Sequence, residues 1–113
     1  RFRAKDCPIA VATDFNPGSC YLSNLSFVVS LAALNCRLSV AESIVAVTWN
    51  AARALRLEQT KGALAVGYDG DFLIHEHGTL QQWIADFGQC LPRAVFIKGQ
   101  AVARTEEAGQ SRE

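Results

Sequence analysis

The sequence predicts an α/β fold class, and three features of its patterning support that prediction. An apolar, β-branched run over residues 9–13 is typical of a strand buried on both faces, as in parallel sheets. Residues 24–57 carry apolar side chains and good helix formers at helical spacing. From Lys61 onward the chain changes to short apolar runs separated by turn residues, which indicates strands.

The predicted strand 9–13 ends at a loop in which turn-forming residues dominate, beginning with Asp14 and Asn16. Barrels and open α/β sheets place functional groups at the carboxyl ends of their strands. A carboxylate there can hold a metal cation or act as a general base. An aspartate in a turn more often serves as an Asx-turn or a helix cap, and the pattern alone leaves both roles open for Asp14.

Three segments are predicted to be helical: residues 24–34, 40–47 and 51–57. Ser23 is the expected cap of the first helix. Ser39 and Glu42 form a capping box for the second, so a structural role is favoured for Glu42. The third helix is expected to begin from Thr48 or Asn50.

The second half of the chain is predicted to hold short strands, one helix and a tail. Its expected elements are strands 64–66 and 72–74, a turn at 67–70, a short helix over 79–87, a hairpin of 93–97 and 101–103 around residues 98–100, and a disordered tail over 104–113. Asp69 and Asp71 flank a turn glycine, and a turn role is favoured over a calcium loop.

Composition excludes several function classes. The 11 basic and 11 acidic residues cancel, so the chain has no general attraction to nucleic acid or to an anionic membrane. No apolar run is long enough to span a bilayer, and the N-terminus lacks a secretory signal pattern. The four cysteines, at positions 7, 20, 36 and 90, are expected to be free thiols of a cytosolic protein, at a spacing unlike that of cysteine metal sites. Because the chain contains no methionine, we expect it to be a piece of a longer sequence.

A family resemblance is carried by three blocks: residues 13–19 (TDFNPGS), 48–55 (TWNAARAL) and 61–74 (KGALAVGYDGDFLI). The first block resembles the loop after the last barrel strand of imidazolonepropionases, in the amidohydrolase superfamily, and the other two resemble elements that many amidohydrolases share. The resemblance implies that residues 1–60 are the C-terminal end of a (β/α)8 barrel, with its last strand and outer helices. It also implies that residues 61–103 are part of the small flanking β-sandwich domain.

The same resemblance implies an activity and a set of site residues. Imidazolonepropionases open the ring of 4-imidazolone-5-propanoate to N-formimidoyl-L-glutamate in histidine degradation, with one zinc or iron ion. Asp14 matches the aspartate that is both metal ligand and catalytic proton acceptor. Asn16 and Gly18 match positions that hold the acidic product, and Ser19 matches a position that contacts the substrate. The expected partners are a small-molecule substrate and, in the complete enzyme, a second copy of the subunit, in the cytoplasm.

One departure from the family limits what this chain is expected to do alone. The family's His-x-His pair, its later metal histidine and its substrate arginine all precede the aspartate, and residues 1–13 contain none of these histidines. A single carboxylate does not complete a catalytic site with three protein ligands, so the chain alone is expected to be inactive. Two alternatives stay open: another metal-dependent amidohydrolase, such as a deaminase, or a non-catalytic remnant acting as an interaction module.

His75 and His77 could be mistaken for the family's His-x-His pair. Alternate residues on a strand share a face, but this pair follows the aspartate instead of preceding it. A solvated strand end is therefore favoured over a metal role. For Trp49 and Trp83, on segments predicted to be helical, packing is the favoured role.

Overall fold

The computed structural model describes residues 6–105, in which helices and short strands are mixed as the α/β prediction requires. In chain order its elements are α1 (Leu25–Asn35), α2 (Val40–Val47), α3 (Trp49–Ala54), β1 (Phe72–Ile74), α4 (Leu80–Ala85), β2 (Ala94–Ile97) and β3 (Gln100–Arg104). Within this range, no helix is long and apolar enough to cross a membrane.

The first helix has the predicted position but a different cap. The side chain of Asn24, and not that of Ser23, accepts the backbone N–H of Phe27 at 3.1 Å. Asn24 has the extended backbone that an N-cap residue requires, and its short amide reaches the third residue of the helix. Beyond the helix Arg37 has a positive φ of 55°, which confirms the predicted break.

The capping box of α2 is confirmed in both directions. Glu42 N–H donates to the Ser39 hydroxyl at 3.2 Å, and Ser39 N–H donates to the Glu42 carboxylate at 2.7 Å. At Thr48 the backbone leaves helical geometry, and α3 follows directly. This third helix ends at Ala54, before the predicted end at 57, because Arg56 has a left-handed φ of 59°.

The three strands form one antiparallel sheet in the order β1-β2-β3. Phe72 and Phe96 are opposite each other on β1 and β2, and their rings stack with centroids 4.5 Å apart. The predicted hairpin is confirmed: Lys98 and Gly99 have φ values of 50° and 76°, as a tight two-residue turn requires. Gln100, expected in the turn, begins β3 instead.

The predicted strand 9–13 is not formed. Its residues have no regular secondary structure, because a strand needs a ladder of neighbours and no other described segment pairs with them. The segment lies on the helices, where Val11 N–H donates to the carbonyl of Ala46 at 3.1 Å and the Asn50 side chain donates to the carbonyl of Ile9 at 2.9 Å. Residues along it alternate between half-buried and exposed, so only one face is covered and the expectation of burial on both faces is wrong for this chain.

The predicted strand 64–66 is also wrong. Leu64 and Val66 are exposed, and Tyr68 N–H donates to the carbonyl of Ala65 in a turn. Without a partner strand or a buried face, the apolar run has nothing to stabilise it as a strand.

The buried core of the described residues is small and lies among the helices. Its members are Val29, Ser30, Ala32, Leu38, Ser43, Ala46, Ala52 and, at the start of β2, Ala94. The Ser30 hydroxyl donates to the carbonyls of Ser26 and Ile84, so it joins α1 to α4 inside the core. A cavity of about 920 Å³ is lined both by residues of α2 and α3 and by residues of β1 and of the segment that follows it.

The C-terminal end of the described chain is held to the sheet. Arg104 ends β3, and Thr105 donates hydrogen bonds to the carbonyls of Arg93 and Pro92, each at 2.9 Å. The predicted disordered tail otherwise falls on residues 106–113, which lie outside the described residues. The assignments of residues 1–60 to a barrel and 61–103 to a sandwich stay predictions.

Candidate functional site

Residues 13–21 form a loop that folds back on itself, here called the Asn-Pro-Gly loop. The backbone N–H of Asn16 donates to the carbonyl of Cys20 at 2.8 Å, which makes an isolated antiparallel bridge. The Tyr21 hydroxyl donates to the carbonyl of Pro17 at 2.7 Å. The loop is therefore closed by its own hydrogen bonds, although most of it is exposed.

Asp14 is the second residue of this loop and directly follows the segment 9–13. Its φ is 55°, in the left-handed region that Asp and Asn tolerate better than most residues. Around it, Phe15 N–H donates to the Thr13 hydroxyl at 3.3 Å and the Cys20 thiol donates to the Thr13 carbonyl at 3.4 Å. Asp14 is exposed, and the strand that was expected to precede it is not formed.

Asn16 is the centre of the loop's hydrogen bonds. Its Oδ1 accepts the N–H groups of Gly18 at 2.9 Å and Ser19 at 2.8 Å, and the Ser19 hydroxyl at 3.2 Å. Its Nδ2 donates to the carbonyl of Asp14 at 2.7 Å. The predicted substrate-binding residues are thus brought together, but they bind one another. One N–H of the Asn16 amide, which has two, is left for a ligand.

The Asn-Pro-Gly loop lines neither of two cavities that lie elsewhere in the described residues. A cavity of about 460 Å³ lies between the segment around Pro8 and the α2 residues Ala41 and Val45. The cavity of about 920 Å³ lies between α2–α3 and β1. Asp14, Asn16 and Gly18 line neither of these cavities, and the expectation that they share a cavity stays a prediction, as do their roles.

Among residues 6–105, Asp14 belongs to no group of three potential metal ligands. Within residues 6–105, a single group brings three potential ligand atoms within 4.8 Å of one another, and Asp14 is not part of it. A zinc site needs three or four protein ligands, so the described residues do not by themselves fit a catalytic metal at Asp14.

The segment after β1 differs from the solvated strand end that was predicted. His75 and His77 are half-buried, with ring centroids 5.9 Å apart, and His75 also lies against Trp83 at 5.5 Å. Both nitrogens of His75 and the Nδ1 of His77 are buried without a hydrogen-bond partner. Burial, with the charge of His77 as a smaller cause, lowers the pKa of His75. Packing of Trp83 against a histidine agrees with the packing role expected for it.

The single group of three ligand atoms consists of His77, Asp86 and Cys90. The Asp86 carboxylate accepts the backbone N–H of Cys90 at 2.7 Å, a bond that lowers the pKa of this carboxyl. His77 Nε2 lies 3.8 Å from the same carboxylate oxygen. Sequence reasoning judged cysteine metal binding from the cysteine spacing alone and missed this group. One signal in the sequence could have indicated it: Asp86 and Cys90 are four residues apart and follow the His-x-His pair along the chain.

Asp69 and Asp71 have the turn role that was favoured for them. Both carboxylates pair with Lys61, the first at 2.8 Å. Asp71 also accepts the backbone N–H of Lys98 at 2.8 Å, which ties the hairpin turn to the start of β1. The hydrogen bond from Lys61 and the one from Lys98 lower the pKa of Asp71, and the two carboxylates raise the pKa of Lys61.

The family model and similar curated proteins indicate the same family for this chain. The model of the amidohydrolase family matches residues 4–102. An imidazolonepropionase of Solibacter usitatus is 40% identical over 101 residues, which are 89% of this chain and 24% of that protein.

Two further imidazolonepropionases show the same relationship. The protein of Paracidovorax citrulli is 34% identical over 102 residues, 90% of this chain and 24% of its own length. That of Bacteroides thetaiotaomicron is 43% identical over 68 residues, 60% of this chain and 16% of its own length. The chain thus spans about a quarter or less of the length of the curated relatives it matches.

Proposed function

This chain belongs to the amidohydrolase family of hydrolases, and on that premise we propose that it is the C-terminal part of an imidazolonepropionase-type enzyme. The proposed reaction opens the ring of 4-imidazolone-5-propanoate with water to give N-formimidoyl-L-glutamate, a step of histidine degradation. The observation that carries the proposal is the Asn-Pro-Gly loop, with Asp14 at its start, in a chain that imidazolonepropionases match over about 90% of its length.

Asp14 is proposed as the catalytic residue. An exposed carboxylate can accept the proton of an attacking water once that water is held beside it. Its backbone carbonyl is held by the side chain of Asn16, which fixes the first turn of the loop. The proposal therefore gives Asp14 the proton transfer and gives Asn16 a part in holding Asp14 in place.

Asn16, Gly18 and Ser19 are proposed to hold the acidic end of the substrate and product. Two backbone N–H groups and one hydroxyl converge on Asn16 Oδ1, so this loop concentrates donors in a small volume. A substrate carboxylate can use the remaining amide N–H of Asn16 and compete for the Ser19 hydroxyl.

The proposal includes one metal ion, zinc or iron, for which Asp14 would be one ligand and the remaining ligands would lie outside these 113 residues. Bound by Asp14 together with those other ligands, such an ion would act as a Lewis acid on a carbonyl and lower the pKa of water. A cytoplasmic location and a homodimer of the complete enzyme belong to the same proposal, and the partner in catalysis is a small molecule.

The experiment compares two proteins and two substrate classes. The 113-residue chain and the protein encoded by the upstream-extended reading frame are assayed with 4-imidazolone-5-propanoate and with a cyclic amidine that a deaminase would hydrolyse. We expect ring opening by the extended protein alone. Ammonia release from the amidine, without ring opening, would favour the deaminase alternative, and inactivity of the extended protein towards both would favour the non-catalytic remnant.

A further inference from the structure

The group formed by His77, Asp86 and Cys90 lies at the two ends of α4. His77 precedes the helix, Asp86 caps its C-terminus, and Cys90 lies in the loop that follows. One ligand atom from each residue lies within 4.8 Å of the other two. We propose that these three side chains bind one divalent cation of the zinc class, at a site separate from Asp14.

The distances are close to those of a coordinated ion. Zinc bonds of about 2.0–2.3 Å in a tetrahedron place ligand atoms about 3.3–3.8 Å apart. His77 Nε2 and the Asp86 carboxylate are already 3.8 Å apart, too far for a hydrogen bond but suitable for a shared ion. The widest separation in the group is at most 4.8 Å and must shrink by about 1 Å. Cys90 is exposed and lies in a loop, so it can make that movement.

The three side chains are held near each other by the fold and are not committed elsewhere. Asp86 is oriented by the backbone N–H of Cys90, an outer contact of the kind that fixes metal ligands in place. The Nδ1 of His77 has no hydrogen-bond partner, and its Nε2 has only the distant carboxylate. Nε2 is the ring nitrogen that faces Asp86, and 3.8 Å is beyond hydrogen-bond reach, so this atom is available to bind an ion.

The donor set determines the class of ion. One imidazole nitrogen, one thiolate sulfur and one carboxylate oxygen favour zinc over magnesium or calcium, which take oxygen ligands. Binding releases the proton of the Cys90 thiol to solvent, and a sulfur–metal bond forms without oxidation or reduction. Three protein ligands leave a fourth position for water. His77 also lines the cavity of about 920 Å³, and Cys90 is exposed, so solvent reaches the group.

The test is a titration of the purified, metal-free protein with Co²⁺, made without a histidine tag and under reducing conditions. Cobalt bound to a thiolate gives a near-ultraviolet charge-transfer band that oxygen and nitrogen ligands do not give. We expect this band to saturate at one equivalent of Co²⁺ and to disappear on addition of Zn²⁺. Its absence at saturating cobalt would overturn the proposal without any variant.

Variants locate the site. Cys90→Ser is expected to abolish the band. His77→Gln is expected to weaken cobalt affinity by more than about 100-fold, which is more than the loss of a residue that only contacts a ligand would cause. Cys36→Ser removes another exposed cysteine and should leave the band unchanged. Asp14→Asn should also leave it unchanged, which separates this site from the proposed catalytic one. A band that survives Cys90→Ser, or that Asp14→Asn removes, contradicts the assignment. Circular dichroism of each metal-free variant shows whether the fold is kept.

Discussion

The side-chain amide of Asn24 donates a hydrogen bond to the backbone carbonyl of Gly88 at 2.8 Å, although the two residues are 64 positions apart. The same side chain caps α1 through its oxygen. One amide therefore caps the start of a helix in the predicted barrel portion and holds the loop after α4, in the predicted sandwich portion. The contact spans the boundary near residue 60 at which the sequence predicts two domains.

Gly88 should be intolerant of a side chain. Its φ is +69°, and a Cβ there would lie 2.7 Å from both side-chain amide atoms of Asn24 and 2.8 Å from the Phe27 nitrogen. We expect Gly88→Ala to lower the free energy of unfolding by about 2 kcal/mol or more, from the left-handed backbone and the clash together. Urea unfolding followed by circular dichroism measures this.

The control is Gly67→Ala, which has the same kind of backbone but no atom within 4 Å of the added Cβ. Gly67→Ala should lower the free energy of unfolding by about 1 kcal/mol, the cost of a left-handed backbone without a clash. Equal losses in the two variants would mean that the packing of Gly88 against the N-terminus of α1 does not contribute to stability.

Asp71→Asn should change how stability depends on pH. The pKa of Asp71 is lowered in the folded chain by hydrogen bonds from Lys61 and from the Lys98 N–H. The ionised carboxylate therefore stabilises the fold at pH values above the ordinary carboxyl pKa. That contribution is lost as the pH falls through the lowered value, below about 4. The pKa of Lys61 is raised in the folded chain, so the stabilisation that its charge provides is lost as the pH rises beyond about 10.

Thermal unfolding over this pH range tests the ion pair. The variant should have a lower Tm than the parent protein between these limits, and the two curves should converge at the acid end. Glu76→Gln is the matched control, because Glu76 pairs with Arg93 at 3.6 Å with both side chains mostly exposed. A Tm difference for Asp71→Asn that does not shrink in acid would contradict the assigned role.

Asn16→Ala should open the Asn-Pro-Gly loop without unfolding the protein. The change removes the acceptor of three hydrogen bonds and the donor to the Asp14 carbonyl, all in an exposed loop. We expect faster amide hydrogen exchange at Gly18 and Ser19, with the global Tm nearly unchanged.

Asn16→Asp serves as the control for this effect. An aspartate keeps the acceptor oxygen but replaces the donor to the Asp14 carbonyl with a charged oxygen. If the shared acceptor holds the loop, exchange at Gly18 and Ser19 should stay slow. Fast exchange in both variants would mean that the loop depends on the bond to Asp14 and not on the shared acceptor.

Local chemistry made much of this fold predictable. The capping box of Ser39 and Glu42 fixes the start of α2, and Lys98 with Gly99 fixes the hairpin, because these signals act within a few residues. Residues 9–13 have the pattern of a strand but lack a pairing neighbour in the described chain. A sequence pattern indicates that a segment can form a strand, but it does not show whether a neighbouring strand is present to pair with it.

For the candidate sites too, some features could be predicted from the sequence and others only from the folded chain. Asp14 was identified by its place after an extended run and by family resemblance, both readable in the sequence. The hydrogen bonding of Asn16 to its own loop follows from side-chain geometry that residue order does not specify. The group of His77, Asp86 and Cys90 depends on how α4 brings its two flanks together, and spacing in the sequence carries little of that information.

The central claim is that Asp14 is the catalytic carboxylate of a ring-opening hydrolase. Its most direct test is kcat/KM for 4-imidazolone-5-propanoate in the upstream-extended protein, measured for the parent, Asp14→Asn and Asp6→Asn. Asp6 is another exposed aspartate with a positive φ, 49° against 55° for Asp14, and it lies outside the loop. We predict that Asp14→Asn lowers kcat/KM by about 1,000-fold or more, as loss of a general base does, and that Asp6→Asn changes it little. Activity of Asp14→Asn within about threefold of the parent enzyme would contradict the claim, since a missing general base costs at least about 100-fold.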